Sequence, residues 1–190
     1  MPSAESKNQS ALVRAASGGD ARAFEELFHM HHVGIFNFVL HMVGQVEPAQ
    51  DLTQATFINA WRALPRLKKS EAFVPWLFRI ARNLARDYIA QRKEHELAAG
   101  NIANLAALRS DPRDDPAQQT LTEEQSAAVH EAIAKLPAHH REVVLLHHIE
   151  GLPVDEVAEA LGVPRGTVLS RLARAREALR RSLAPLVEEE

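Results

Sequence analysis

The sequence predicts an all-α protein of two small helical domains joined by a flexible linker, and three observations carry that prediction. Apolar residues recur at helical spacing through most of the chain, with no sustained strand-like alternation. Helix-ending residues fall between these segments, at Gly18-Gly19, Gly44, Pro65, Gly151 and Gly162. One stretch breaks the pattern: SDPRDDP, residues 110–116, concentrates two prolines and three aspartates and reads as extended or flexible chain. The expected organisation is a first domain over 1–97, a linker over 98–119 and a second domain over 120–185.

The elements follow in chain order. Residues 8–17 form a short helix, and Asp20 is placed to cap the next one. That helix runs to Val43 through Phe24, Leu27, Phe28, His31, Ile35, Phe38, Val39 and Met42, and Gly44 closes it. A third helix starts near Pro48 and stops at Pro65. A fourth spans 71–97, with Phe73, Leu77, Ile80, Leu84 and Ile89 along one side and Pro75 confined to its first turn. Past the linker, residues 120–134 make a helix whose start, Thr122-Glu123-Glu124-Gln125, resembles a capping box. Pro137 opens another that runs through Val143, Val144, Leu145 and Leu146 to Gly151. Two short helices end the chain, at 153–160 and 165–183.

Composition narrows the function classes. The 190 residues carry a net charge of −3, 46% apolar residues, 5% aromatics and no cysteine. Disulfides, thiolate chemistry and a Cys-based zinc site are therefore excluded, which fits a cytoplasmic protein. No apolar run approaches the roughly 18 residues of a membrane span, and the N-terminus lacks the basic region and apolar core of a signal peptide. No glycine-rich phosphate loop or nucleophile–base arrangement is present, so neither enzymatic activity nor a cofactor is expected. Ten histidines are many for this length. His29 and His32 share a helical face, yet two ligands do not make a metal site, and no metal is assigned.

Charge distribution says more than total charge. Residues 165–181 hold Arg165, Arg171, Arg174, Arg176, Arg180 and Arg181 against the single Glu177. Two short helices joined by a tight glycine-containing turn are the pattern of a helix-turn-helix. In the first, Val154, Val157, Ala158 and Leu161 can face a core. In the second, Val168, Leu172, Ala175 and Leu179 step by four, three and four, which is one narrow apolar stripe. Thr167, Ser170, Arg171 and Arg174 lie away from that stripe, where they can meet a DNA groove, and Arg165 flanks it.

Through these motifs the chain resembles bacterial RNA polymerase sigma factors of the extracytoplasmic function group, which pair a region 2 domain with a region 4 domain. Three stretches carry the resemblance. DLTQATFINAWRAL, residues 51–64, is similar to region 2.2, which docks on the clamp helices of the polymerase largest subunit. The resemblance assigns Asp51, Gln54, Phe57 and Trp61 to core polymerase binding. FVPWLFRIARNLARDYIAQRKE, residues 73–94, is similar to regions 2.3 and 2.4, which hold single-stranded −10 DNA. It assigns Trp76, Arg79, Arg82, Asn83, Asp87 and Arg92 to that strand, and arginines with polar and aromatic groups suit an unstacked base. Residues 136–179 resemble region 4, whose recognition helix reads the duplex −35 element. Arg165, Thr167, Ser170, Arg171 and Arg174 are the matching residues.

The resemblance implies a transcription initiation factor whose partners are core polymerase, promoter DNA in duplex and single-stranded form, and an anti-sigma factor, with no direct membrane insertion. Departures from the family pattern remove charge: Ala55 follows the region 2.2 glutamine, Ala90 and Gln91 stand at commonly basic positions, and Leu169 replaces a lysine in GTVLSR. Trp61 and Trp76 are open to packing roles as well as contact roles, and Asp87 to pairing with an arginine such as Arg86. Two alternatives stand beside the initiation factor. One is a stand-alone helix-turn-helix regulator built on residues 120–183, against which the region 2 motifs argue. The other is a polymerase-binding protein with weakened promoter contacts, motivated by the four uncharged positions.

Overall fold

The computed structural model describes residues 4–98 and 123–187, with side chains placed for 8–98 and 128–184. Every regular element among these is helical. The proposed linker 98–119 and Thr122 of the expected capping box lie almost wholly outside the described residues.

The N-terminal module contains α1 (Ala4–Ser17), α2 (Ala21–Val43), α3 (Val46–Ala63) and α4 (Phe73–Ala98). Local chemistry sets these boundaries. Asp20 caps α2 by accepting from the backbone N–H of Arg22 at 2.9 Å and of Ala23 at 3.3 Å. Gly44 ends it at φ 75°, a left-handed conformation that favours glycine, and its N–H donates to the Leu40 carbonyl. Helix α3 begins two residues before Pro48, which still falls in the first turn. Pro65 lies in a single 3₁₀ turn, Leu64–Arg66, that stops α3.

Helix α2 runs through the module core. Leu27, Ile35 and Val39 are fully buried and Phe38 nearly so, meeting Phe78 of α4 edge-on at 5.5 Å between ring centres. Helix α4 packs differently from the expectation. Its buried line is Phe73, Leu77, Ala81 and Ala85 with Phe78, whereas Ile80, Leu84 and Ile89 are half-buried. Alanines at four-residue spacing let neighbouring helices approach closely, so beyond Phe78 small residues mark this core side.

The C-terminal module contains α5 (Glu123–Lys135), α6 (Ala138–Val144), α7 (Val154–Leu161) and α8 (Arg165–Val187). Pro137 caps α6, which widens into a π-type turn over Leu145–Ile149 before Gly151 reverses the chain at φ 69°. Val143, Leu146, Val157 and Val168 are fully buried, and Leu145 nearly so. Ala160, which the apolar pattern had not singled out, joins them at 1% exposure.

The two modules share one contiguous apolar cluster. Helix α4 packs against α7, and α2 touches α6. Gly34, midway along α2, is part of that approach: a Cβ there would run into the Glu150 carboxylate.

Candidate polymerase and nucleic-acid interfaces

Three of the four expected polymerase-binding residues, Gln54, Phe57 and Trp61, line an open apolar groove between α2 and α3. The groove encloses about 1030 Å³ and is lined by Phe24, Phe28, Phe36, Phe57, Ile58 and Trp61, with Gln50, Gln54, His32 and Arg62 among its polar residues. Its rings interlock. Trp61 leans on Phe24 at 4.9 Å, and Phe28 meets Phe57 edge-on at 4.8 Å. Thr53 also lines the groove, and its hydroxyl donates to the Ala49 carbonyl at 2.7 Å.

The four residues assigned from region 2.2 divide by position. Asp51 and Gln54 are both exposed, one helical turn apart on α3. Trp61 is 37% exposed, so its indole is presented rather than sunk. Phe57 is buried and belongs to the core, contributing only an edge to the groove. In the sequence Phe24 and Phe28 simply share α2's apolar period. They are half-buried and form the opposite wall of the groove. Ile58 also escaped notice, and its 43% exposure, three residues before Trp61, is what marks it.

The residues expected to hold single-stranded DNA all sit on α4 but face two ways. Trp76, Asn83 and Asp87 lie within about 40° of one another around the helix and form one stripe. Asn83 and Asp87 are exposed, while Trp76 is half-buried against Phe73 at 6.0 Å. Arg79 and Arg82 point instead to the C-terminal module. Arg82 Nε lies 3.0 Å from Glu142 Oε1, and Arg82 Nη1 donates to the Leu161 carbonyl at 3.3 Å. Arg79 stands 4.0 Å from Glu159, both half-exposed. Arg92 is held by Glu96 one turn on, at 3.0 Å. Asp87 has no ion pair among those described, so the alternative partner Arg86 is not engaged.

Helices α7 and α8 form the helix-turn-helix. The turn is a Schellman closure: Gly162, at φ 64°, donates to the Glu159 carbonyl, and Val163 donates to that of Ala158. Val168, Leu172 and Ala175 are buried as the stripe predicts, and Leu179 is half-buried. The opposite side of α8 is open. Ser170 and Arg174 are exposed, Thr167 and Arg171 half-buried, and Leu169 is 48% exposed. Ser170 Oγ donates back to the Thr167 carbonyl at 2.9 Å. Arg165 makes an exposed pair with Asp155 at 3.5 Å, of the kind worth little to stability. Among the described residues no carboxylate pairs with Arg171 or Arg174.

The histidines are packed or solvated rather than grouped around a ligand. Among the described residues no set of three His, Asp or Glu side chains could hold a metal ion. Burial lowers the pKa of His31, whose ring sits 5.8 Å from that of Phe73. His140 is lowered first by burial and then by His139, Arg174 and Arg171. No helix among the described residues is long and apolar enough to cross a membrane.

A region 2 bundle with an apolar groove, followed by a helix-turn-helix with free arginines, defines a promoter-recognition class of protein. Comparison with known families agrees. The family model "Sigma-70 region 2" matches residues 27–95, and "Sigma-70, region 4" matches residues 126–179. The RNA polymerase sigma-H factor of Pseudomonas aeruginosa is 34% identical over 183 residues, covering 94% of this chain and 95% of that one. The ECF RNA polymerase sigma factor SigW of Bacillus subtilis is 32% identical, covering 92% and 96%. In a solved structure of CnrH in complex with the cytosolic domain of CnrY, one chain superposes with a TM-score of 0.69 at 28% identity, covering 94% of this chain and 98% of that one. The chain belongs to the sigma-70 family, in its extracytoplasmic function group.

Proposed function

We infer that this sigma factor joins core RNA polymerase through the α2–α3 groove and directs it to promoters by two DNA contacts, one on α4 and one on α8. The observation that carries the reading is the coincidence at the groove. Gln54, Phe57 and Trp61, assigned from region 2.2, line an open aromatic recess large enough to take the side chains of a partner helix. Aromatic anchors in such recesses commonly dominate association energy. Asp51, outside the recess on the same helix, supplies a charge for registering the partner.

On this reading, Trp76, Asn83 and Asp87 receive the −10 strand, with Arg79, Arg82 and Arg92 as its cations. Thr167, Ser170, Arg171 and Arg174 enter the −35 major groove and Arg165 approaches its backbone. The proposed domains are 1–97 and 120–185, joined by residues 98–119, and polymerase sets the distance between the two elements. The polymerase performs the chemistry, and the sigma factor acts in the cytoplasm. An anti-sigma factor is the proposed regulator, since the similar CnrH chain is held in complex with the cytosolic domain of CnrY.

Reconstitution tests the reading. Core polymerase supplied with this chain is expected to start transcription at discrete sites on genomic fragments, and Trp61→Ala to abolish holoenzyme formation. Binding to core without discrete start sites would favour a polymerase-binding protein with weakened promoter contacts. Specific duplex binding with no core association would favour a stand-alone regulator.

A further inference from the structure

We propose that His139 and His140 make the −35 contact proton-linked: their rings join Arg171 and Arg174 in one cationic site for a duplex phosphate, and a proton taken up there is part of promoter binding. The inference rests on the −35 reading of α8 and deepens it, by naming a second helix and a solution condition on which that contact depends.

The site is built from two helices. Helix α6 packs along α8. His139 is exposed and His140 half-buried, with their rings 4.3 Å apart and inclined at 64°. The charges acting on His140 are those of His139 beside it and of Arg174 and Arg171 from α8. These are the two arginines that no carboxylate engages among the described residues. His140 Nε2 is covered and has no hydrogen-bond partner there, so nothing in the free protein accepts from a proton placed on it. The other charged and titratable groups around α6 are engaged elsewhere. On α5, Glu131 holds Lys135 at 2.7 Å, and His130 stacks on His41 of α2 at 5.3 Å. On α6 itself, Glu142 holds Arg82, and Arg141 donates to the carbonyls of His41, Ala134 and Leu136. On α8, Glu177 faces Arg180 and Arg181, Arg165 pairs with Asp155, and Arg176 acts on His148.

Two arginines and two histidines with no acid among them make protonation costly in the free chain. Burial first, and then the charges of His139, Arg174 and Arg171, hold the His140 pKa below 6.5. A phosphate reverses the balance. It neutralises the arginines and accepts a hydrogen bond from an imidazolium, and both effects favour the protonated ring. The DNA-bound chain therefore binds more protons than the free chain. Affinity must rise as pH falls through the bound-state pKa, and level off below the lower free-state value. By the same linkage, duplex binding draws protons from solution. Arginine supplies a charge fixed across this range, whereas histidine supplies one that depends on pH.

The test uses holoenzyme and a promoter duplex obtained by start-site mapping. At fixed salt, its affinity is expected to tighten at least about threefold between about pH 8 and pH 6. His139→Gln with His140→Gln should flatten that profile. His95→Gln, an exposed control on α4, should leave it intact. Polymerase titrates too, so the difference between these chains is the readout. His139→Lys should bind more tightly than the unsubstituted chain at about pH 8 and depend less on pH, because its charge no longer titrates in this range. Calorimetry of the same binding in two buffers of different ionisation heat should show proton uptake that the double variant lacks. If His140→Gln fails to fold, His139→Gln and His139→Lys, at an exposed position, decide the matter. An affinity that does not change with pH, or the same profile in the folded double variant, would overturn the proposal. Unchanged promoter affinity in Arg171→Ala with Arg174→Ala would instead sink the −35 reading beneath it.

Discussion

Helices α4 and α8 are both arginine-bearing helices assigned to DNA, and their arginines are treated in opposite ways. On α8, Arg171 and Arg174 have no described carboxylate partner and face away from the buried stripe of Val168, Leu172 and Ala175. On α4, Arg79, Arg82 and Arg92 all face carboxylates, and Arg82 is nearly covered. The residue type alone therefore does not define a nucleic-acid surface. A free arginine is ready for phosphate at the cost of side-chain order alone, whereas a paired one must first break its ion pair.

The largest expected effect separates the two helices by stability. Arg82→Ala leaves Glu142 buried without its partner, and losses on the order of 3–5 kcal/mol are usual for such a group. Opening of the modules would relieve part of this, so denaturant unfolding should show either a large destabilisation or a loss of cooperativity between modules. Arg171→Ala with Arg174→Ala should change stability by no more than about 0.5 kcal/mol in the same experiment. A comparable loss from both would erase the distinction.

Duplex binding should show the reverse ranking. Each α8 arginine removed is expected to cost about 1–3 kcal/mol in −35 affinity if it reads a base, or to lower the salt slope by about 1 if it holds phosphate. A salt titration of holoenzyme on a mapped promoter distinguishes these. Arg82→Ala should leave that duplex contact unchanged while impairing strand opening.

Acid sharpens the comparison from inside each module. His31 and His140 both have pKa values below 6.5 in the fold, so the unfolded chain takes up more protons. Each contributes stability that is fully present above 6.5 and is lost as pH falls through that value. The causes differ. His31 is lowered by burial alone, whereas Arg174 and Arg171 add to the effect at His140. NMR titration should find the His140 pKa rising with added salt or with Arg174→Ala, and that of His31 unmoved by either.

The smallest effect belongs to Leu169, the exposed apolar residue among the α8 cations. Leu169→Lys should raise duplex affinity by less than a factor of about 10 and steepen its salt dependence by about 1, if the added ammonium reaches a phosphate. If Leu169 instead meets an apolar partner, the substitution should weaken regulator binding and leave the salt slope alone.

Much of this architecture was legible in local chemistry. Asp20, Gly44, Pro65, Gly151 and Gly162 mark their boundaries through short-range hydrogen bonding and backbone conformation, which neighbouring residues largely determine. The helix-turn-helix was equally readable, because a stripe at three- and four-residue spacing needs only one helix to define it. What escaped notice depends on distant partners. Arg82 and Glu142 are 60 positions apart, and no periodicity links them. Phe24 and Phe28 carry the same period whether they face a core or an open recess. The α4 core line runs through Ala81 and Ala85, where residue size argued for Ile80 and Leu84. Size reports how much apolar surface a residue brings, whereas the side of closest helix approach is set by how little space it needs.

Helix α4 has one further consequence, for how such a chain can diversify. One side builds the bundle through Phe73, Leu77, Ala81 and Ala85, another presents Trp76, Asn83 and Asp87, and a third clasps the neighbouring module through Arg79 and Arg82. A helix has about 3.6 residues per turn, so three occupied sides leave few positions at which change is silent. Helix α8 has one committed stripe and a solvent-facing remainder. A saturation library scored for folding would find α8 permissive and α4 restrictive, and new promoter preferences would arise more readily at the C-terminal end of the molecule.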